Sequence, residues 1–101
     1  MAIAQKGQNM ANYIVTYDLN GPNPSHKQMD DHLARVGANR ARVLETVWWV
    51  NYNGSAVQLR NHLQTILRKE DGLLVLAVSS AAWQSLLVAD EAFKSAFERA
   101  A

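Results

Sequence analysis

The chain has 101 residues, ten basic and nine acidic, and a net charge of +1, so bulk attraction to nucleic acid is weak and any such binding must rest on local clustering of charge. With 49% apolar and 19% charged residues, the composition is that of a single globular domain and excludes a disordered chain. There is no cysteine, which excludes a disulfide framework, a thiolate zinc site and a cysteine nucleophile, and fits a cytoplasmic protein.

Residues 1–11 lack an apolar run of signal-peptide length and read as a disordered leader, with Met10 as an alternative start. The apolar stretches Leu73–Val78 and Ala81–Val88 are too short or too interrupted to span a bilayer. The patterned domain is expected over residues 12–80, with a helical C-terminal extension over 81–101.

A first strand is expected over Asn12–Leu19, rich in β-branched and aromatic residues and ending near Asp18. Gly21-Pro22-Asn23-Pro24 breaks it. A helix then runs from Pro24 or Ser25 to about Val36, with Asn23 or Ser25 as N-cap, Met29, Leu33 and Val36 as its apolar stripe and Gly37 as its stop. The run Arg40–Tyr52 favours strand but is too long for one, so it divides into Ala41–Glu45 and Val47–Tyr52 with a bend at Glu45-Thr46.

After Asn53-Gly54, Ser55-Ala56-Val57-Gln58 has the form of a capping box. The helix it opens carries Leu59, Leu63, Ile66 and Leu67 on one face and reaches about Lys69. Leu73–Val78 is an apolar strand, and Ser79-Ser80 can cap a short helix over Ala81–Val88. Asp90 can cap a last helix with Phe93 and Phe97 stacked at i and i+4.

This order predicts an α+β, ferredoxin-like βαββαβ antiparallel sheet with two helices on one face and a C-terminal helical extension. The strands are apolar on both faces, so the face without the two helices also needs a cover. The candidates are the C-terminal tail and a second copy of the chain; the homodimer through the open sheet face is the favoured one.

Asp18, at the end of the first strand, is the leading candidate for catalysis and metal binding. A hard divalent cation needs only one or two carboxylates beside its waters and a substrate phosphate. The plainer alternative has Asp18 accept backbone N–H bonds in the Asn20-Gly21 turn. Arg40 and Arg42 alternate along the second strand and share a face that could hold phosphate oxygens; Arg35 extends that patch. Solvated surface arginines are the alternative. His26, His32 and His62 have no metal-ligand spacing, and the Trp48-Trp49 pair fits packing better than base stacking.

Tyr17-Asp18-Leu19 at the end of the first strand resembles the opening segment of the small CRISPR-associated ferredoxin-like proteins, the Cas-two family. The bent pair Arg42–Trp48 and the turn Lys69-Glu-Asp-Gly-Leu-Leu-Val-Leu76 are similar to that family's second-strand block and its turn into the fourth strand. The loop Asn20–Pro24 and the alanine-rich segment after Val78 depart from it, which favours a stand-alone relative of the VapD type. The resemblance implies a homodimer that brings two Asp18 side chains together, and Mg²⁺- or Mn²⁺-dependent endonuclease activity, on RNA rather than DNA. Many members are non-catalytic, so a dimeric scaffold or nucleic-acid-binding module is the alternative.

Overall fold

The computed structural model describes residues 10–36 and 39–100. Strand β1 (Met10–Asp18), helix α1 (His26–Leu33), strands β2 (Asn39–Leu44) and β3 (Val47–Asn53), helix α2 (Ala56–Leu63), a 3-10 turn (Gln64–Ile66), strand β4 (Gly72–Ala77) and helix α3 (Asp90–Ala100) follow in that order. The strands form one open four-stranded sheet, ordered β2-β3-β1-β4 and antiparallel throughout. The molecule is therefore α+β, with β1 and β3 central, and is compatible with the expected ferredoxin-like arrangement. Each of α1 and α2 joins two parallel strands across one intervening strand.

The register assigns the faces. Tyr13, Val15 and Tyr17 lie opposite Val50, Trp48, Val75 and Leu73, while Ile14 and Thr16 lie opposite Trp49, Val47, Leu76 and Leu74. The first set packs on α1 and α2, making a core of Tyr13, Val15, Tyr17, Met29, Leu33, Val50, Leu59 and Leu63. Burying each aliphatic side chain there contributes about 1.5–3 kcal/mol before entropy is counted.

The second face has its own core of Val43, Trp49 and Phe93, flanked by Ile14, Trp83, Val88 and Phe97. The C-terminal segment thus covers the β2-β3 side of this face. Towards β4 the face remains open, with Leu74 at 51% and Leu76 at 46% exposure.

Both capping reactions are in place. Ser25 and Ser55 each accept the N–H three residues on, from Gln28 at 3.2 Å and Gln58 at 3.1 Å, and the glutamine side chains return the bond. Ser25 is thus the cap of α1, not Asn23. Gly54, at φ +155°, turns the chain from β3 into α2, where a Cβ would lie 2.7 Å from the Tyr52 ring.

Several boundaries differ from the sequence expectation. β1 begins two residues earlier, at Met10, paired with Asn53. Helix α1 stops at Leu33 because its carbonyls are taken up in tighter bonds, Arg35 N to His32 O at 3.1 Å and Val36 N to Leu33 O at 3.3 Å. Helix α2 gives way to a 3-10 turn at Gln64, where the Thr65 hydroxyl donates to the His62 carbonyl at 2.8 Å.

The expected helix over Ala81–Val88 is absent. That segment runs irregularly across the sheet, with Ser85 at φ 55° and the Leu87 N–H donating to the Val43 carbonyl at 2.9 Å. Asp90 sits inside the first turn of α3 instead of capping it, and accepts the Trp83 indole N–H at 3.1 Å. Phe93 and Phe97 do meet at i and i+4, but edge to face and not stacked, with ring centroids 5.0 Å apart and planes at 78°. The β2-β3 division falls at Glu45-Thr46, with an irregular register at Arg42–Leu44. The leader expected over residues 1–11 is overturned at Met10 and Ala11, which pair in β1; its residues 1–9 and the Gly37 stop lie outside the described residues.

Candidate functional site

Asp18 is the last residue of β1, opposite Gly72 of β4, and is exposed on the sheet face turned away from α1 and α2. Its side chain makes no hydrogen bond or ion pair among the described residues. Among those residues no group of three His, Cys, Asp or Glu side chains gathers anywhere, so Asp18 alone offers a single carboxylate.

The turn role considered for Asp18 falls to Asp71. The Asp71 carboxylate accepts the Asn20 N–H at 2.8 Å and the Arg68 N–H at 2.9 Å, while the Asn20 side-chain amide donates to the Glu70 carbonyl at 2.6 Å. This clasp ties the end of β1 to the start of β4 and so fixes where Asp18 stands. The two backbone donors hold the Asp71 carboxyl below its ordinary value, because they bond the charged form. A lowered folded-state pKa means stability that is present above the unfolded value and lost as pH falls through the folded value. Asp71→Asn is accordingly expected to melt below the wild type at neutral pH, with the gap closing as pH falls through the carboxylate range. Thermal melts between neutral pH and about pH 3 check this.

On the helix side of the sheet, the Tyr17 hydroxyl donates to Asp30 Oδ1 at 2.7 Å. Burial, then the bond to Asp30 and its negative charge, push the Tyr17 phenol well above its ordinary value; the field of Arg42 opposes this weakly. Tyr17 is therefore a fixed donor rather than a titrating group at physiological pH.

The three candidate arginines are all exposed. Arg40 and Arg42 share a face, opposite Val50 and Trp48, as alternation predicts. Arg35 lines a cleft of about 460 Å³ together with Arg68, Gln28 and His32. Arg68 also lines an adjoining cleft with Arg60 and Lys69. Nothing in the sequence pairs Arg68 with Arg35, because α1 and the segment after α2 are far apart in the chain.

His32 Nε2 lies 3.0 Å from the His62 carbonyl, with the two rings 5.4 Å apart, and His26 packs on Tyr17. Trp49 is buried and donates to Asn12 Oδ1 at 2.7 Å; Trp48 packs on the other core, its indole N–H buried without a partner among the described residues. The tryptophans thus serve packing. No helix among the described residues is long and apolar enough to cross a membrane. No protein-family model matches the chain, and no curated protein matches it.

Proposed function

We propose that this is a ferredoxin-like, Cas-two-like cytoplasmic protein that acts on nucleic acid, RNA in preference to DNA, as a homodimer with two Asp18 side chains near the twofold axis. The observation that supports the reading is the setting of Asp18. It is an exposed carboxylate without a hydrogen-bond or ion-pair partner among the described residues, at the end of a central strand, beside the part of the sheet that the C-terminal segment leaves open. Leu74 and Leu76, exposed on the same face, offer apolar area for a second copy.

One chain brings one carboxylate and a dimer two, a number that Mg²⁺ or Mn²⁺ accepts when substrate phosphate and water complete the shell. Such an ion, when bound, supplies activation of a water and charge stabilisation at phosphorus. The chain's own part is to hold Asp18 in place through the Asn20–Asp71 clasp; Arg40 and Arg42 share the opposite face of the sheet and would hold the nucleic-acid backbone away from the phosphate at Asp18.

Asp18→Asn is expected to abolish cleavage of labelled RNA, as does EDTA, while far-UV circular dichroism stays unchanged because Asp18 holds nothing in the fold. Cleavage that survives either treatment sinks the metal-dependent reading. A monomeric mass at micromolar concentration in sedimentation would count against the paired site. A second reading, a non-catalytic nucleic-acid-binding module, draws on the clustering of Arg35, Arg60, Arg68 and Lys69 in adjoining clefts of a chain with almost no net charge. Retention of labelled RNA without cleavage in Mg²⁺ or Mn²⁺ would favour it.

A further inference from the structure

The cleft between α1 and the 3-10 turn does not belong to the Asp18 site, which lies on the opposite face of the sheet. Asn23 and Pro24 of the loop, Gln28, His32 and Arg35 of the α1 region, and Ile66 and Arg68 beyond α2 line most of it, around a volume of about 460 Å³. That volume is within the range of small-molecule sites. We propose that this cleft binds a nucleoside phosphate monoester, with Arg35 and Arg68 holding the phosphate and the Pro24-Ile66 surface meeting the base.

The charge comes first. Arg35 makes no ion pair among the described residues. Arg68 uses its Nε toward Glu70 at 3.4 Å, and both of those side chains are about half exposed. Its terminal nitrogens lie over Gly21, where a Cβ would come within 3.0 Å of Nη1. The glycine therefore allows this guanidinium to rest across the loop that forms one wall. Asp31, the acidic residue that also lines the cleft, is paired with Lys27 at 3.0 Å.

A phosphate monoester carries about −1.5 to −2 charge at neutral pH, whereas a backbone diester carries one negative charge, so a pair of guanidiniums favours the monoester. Each guanidinium also presents a planar fork that matches phosphate oxygens.

The rest of the lining suits a nucleoside better than a bare anion. Ile66, 36% exposed, and Pro24 are apolar, and the side chains of Asn23 and Gln28 can bond to a base or ribose. His32 is held in one orientation: its Nε2 faces the His62 carbonyl, which only accepts, so that nitrogen donates.

The test is a titration of the full chain with adenosine monophosphate, adenosine, and a dinucleotide with and without a 5′-phosphate. Calorimetry and the imidazole proton resonances of His32 and His62 follow the binding. Adenosine monophosphate is expected to bind and shift the His32 resonances, and adenosine to do neither. Arg35→Gln and Arg68→Gln should each weaken binding roughly tenfold or more, the scale of a lost charge-assisted contact. Arg40→Gln and Arg42→Gln should leave it unchanged. Arg68→Lys, which keeps the charge but not the fork, should fall in between and covers the case in which the glutamine variant unfolds. A phosphorylated dinucleotide that matches the mononucleotide assigns the site to a strand end; a preference for the mononucleotide assigns it to free nucleotide. No binding at millimolar ligand, equal binding of adenosine, or affinity unchanged in both arginine variants overturns the proposal. Because Asp18→Asn leaves this cleft intact, failure of the cleavage experiment and failure of this one are separable.

Discussion

Replacing Trp49 by alanine is expected to cost about 3–5 kcal/mol, a large fraction of the stability of a domain of this size. Trp49 is 6% exposed, packs edge-on to Phe93 with centroids 6.1 Å apart, and donates its indole N–H to the buried Asn12. Alanine removes the ring from the centre of the second core and the donor from Asn12 together. Trp49→Phe separates the two effects: most of the ring volume stays and only the hydrogen bond goes, for about 1–3 kcal/mol. Denaturant melts of both variants decide the matter. A cost below about 1 kcal/mol for the alanine variant would mean that the C-terminal segment is not seated on β3.

Phe93→Ala is expected to be of similar size, about 3–5 kcal/mol, and to act differently. Phe93 is 3% exposed and touches Trp49, Trp83 and Phe97, so it is the pin that fastens α3 and the segment before it to the sheet. Its loss should release residues from about 79 onward while α1 and α2 keep their own core. The expected signature is a red-shifted tryptophan emission and early proteolysis at the C-terminal end. Self-association should also rise with concentration as Trp49 and Val43 are uncovered. Combining the two substitutions should cost less than their sum, since the aromatic contact, worth about 0.5–1.5 kcal/mol, is lost in either.

These two variants bear on the cover of the second sheet face, where a second copy was the favoured occupant. The C-terminal segment takes the β2-β3 side, and the region of Leu74 and Leu76 stays exposed for a partner. The helix expected over Ala81–Val88 failed for the same reason. Trp83, Leu86 and Val88 all pack against the Trp49 core, and the chain reaches those contacts along an irregular, bent path with Ser85 at φ 55°. Local propensity there is weak, and tertiary burial overrides it.

The candidate site was legible in unequal parts. Asp18 could be found because a carboxylate closing a β-branched strand breaks the apolar pattern. The grouping of Arg35 with Arg40 and Arg42 followed their proximity in sequence. The structure sets Arg35 beside Arg68, 33 positions away, and lets Asp71 hold Asn20 across 51 positions.

By itself the amino-acid sequence determined what depends on near neighbours: the strand-forming runs, the Ser55–Gln58 capping box, the hairpin bend at Glu45-Thr46 and the order of elements along the chain. Those features arise from backbone sterics and hydrogen bonds that close within a few residues. Only the tertiary structure decided which segment covers the second face and which cations share a cleft. Each of these is a choice among contacts of comparable strength between residues 30 or more apart, and it is settled by how the helices and tail pack on the sheet rather than by local pattern.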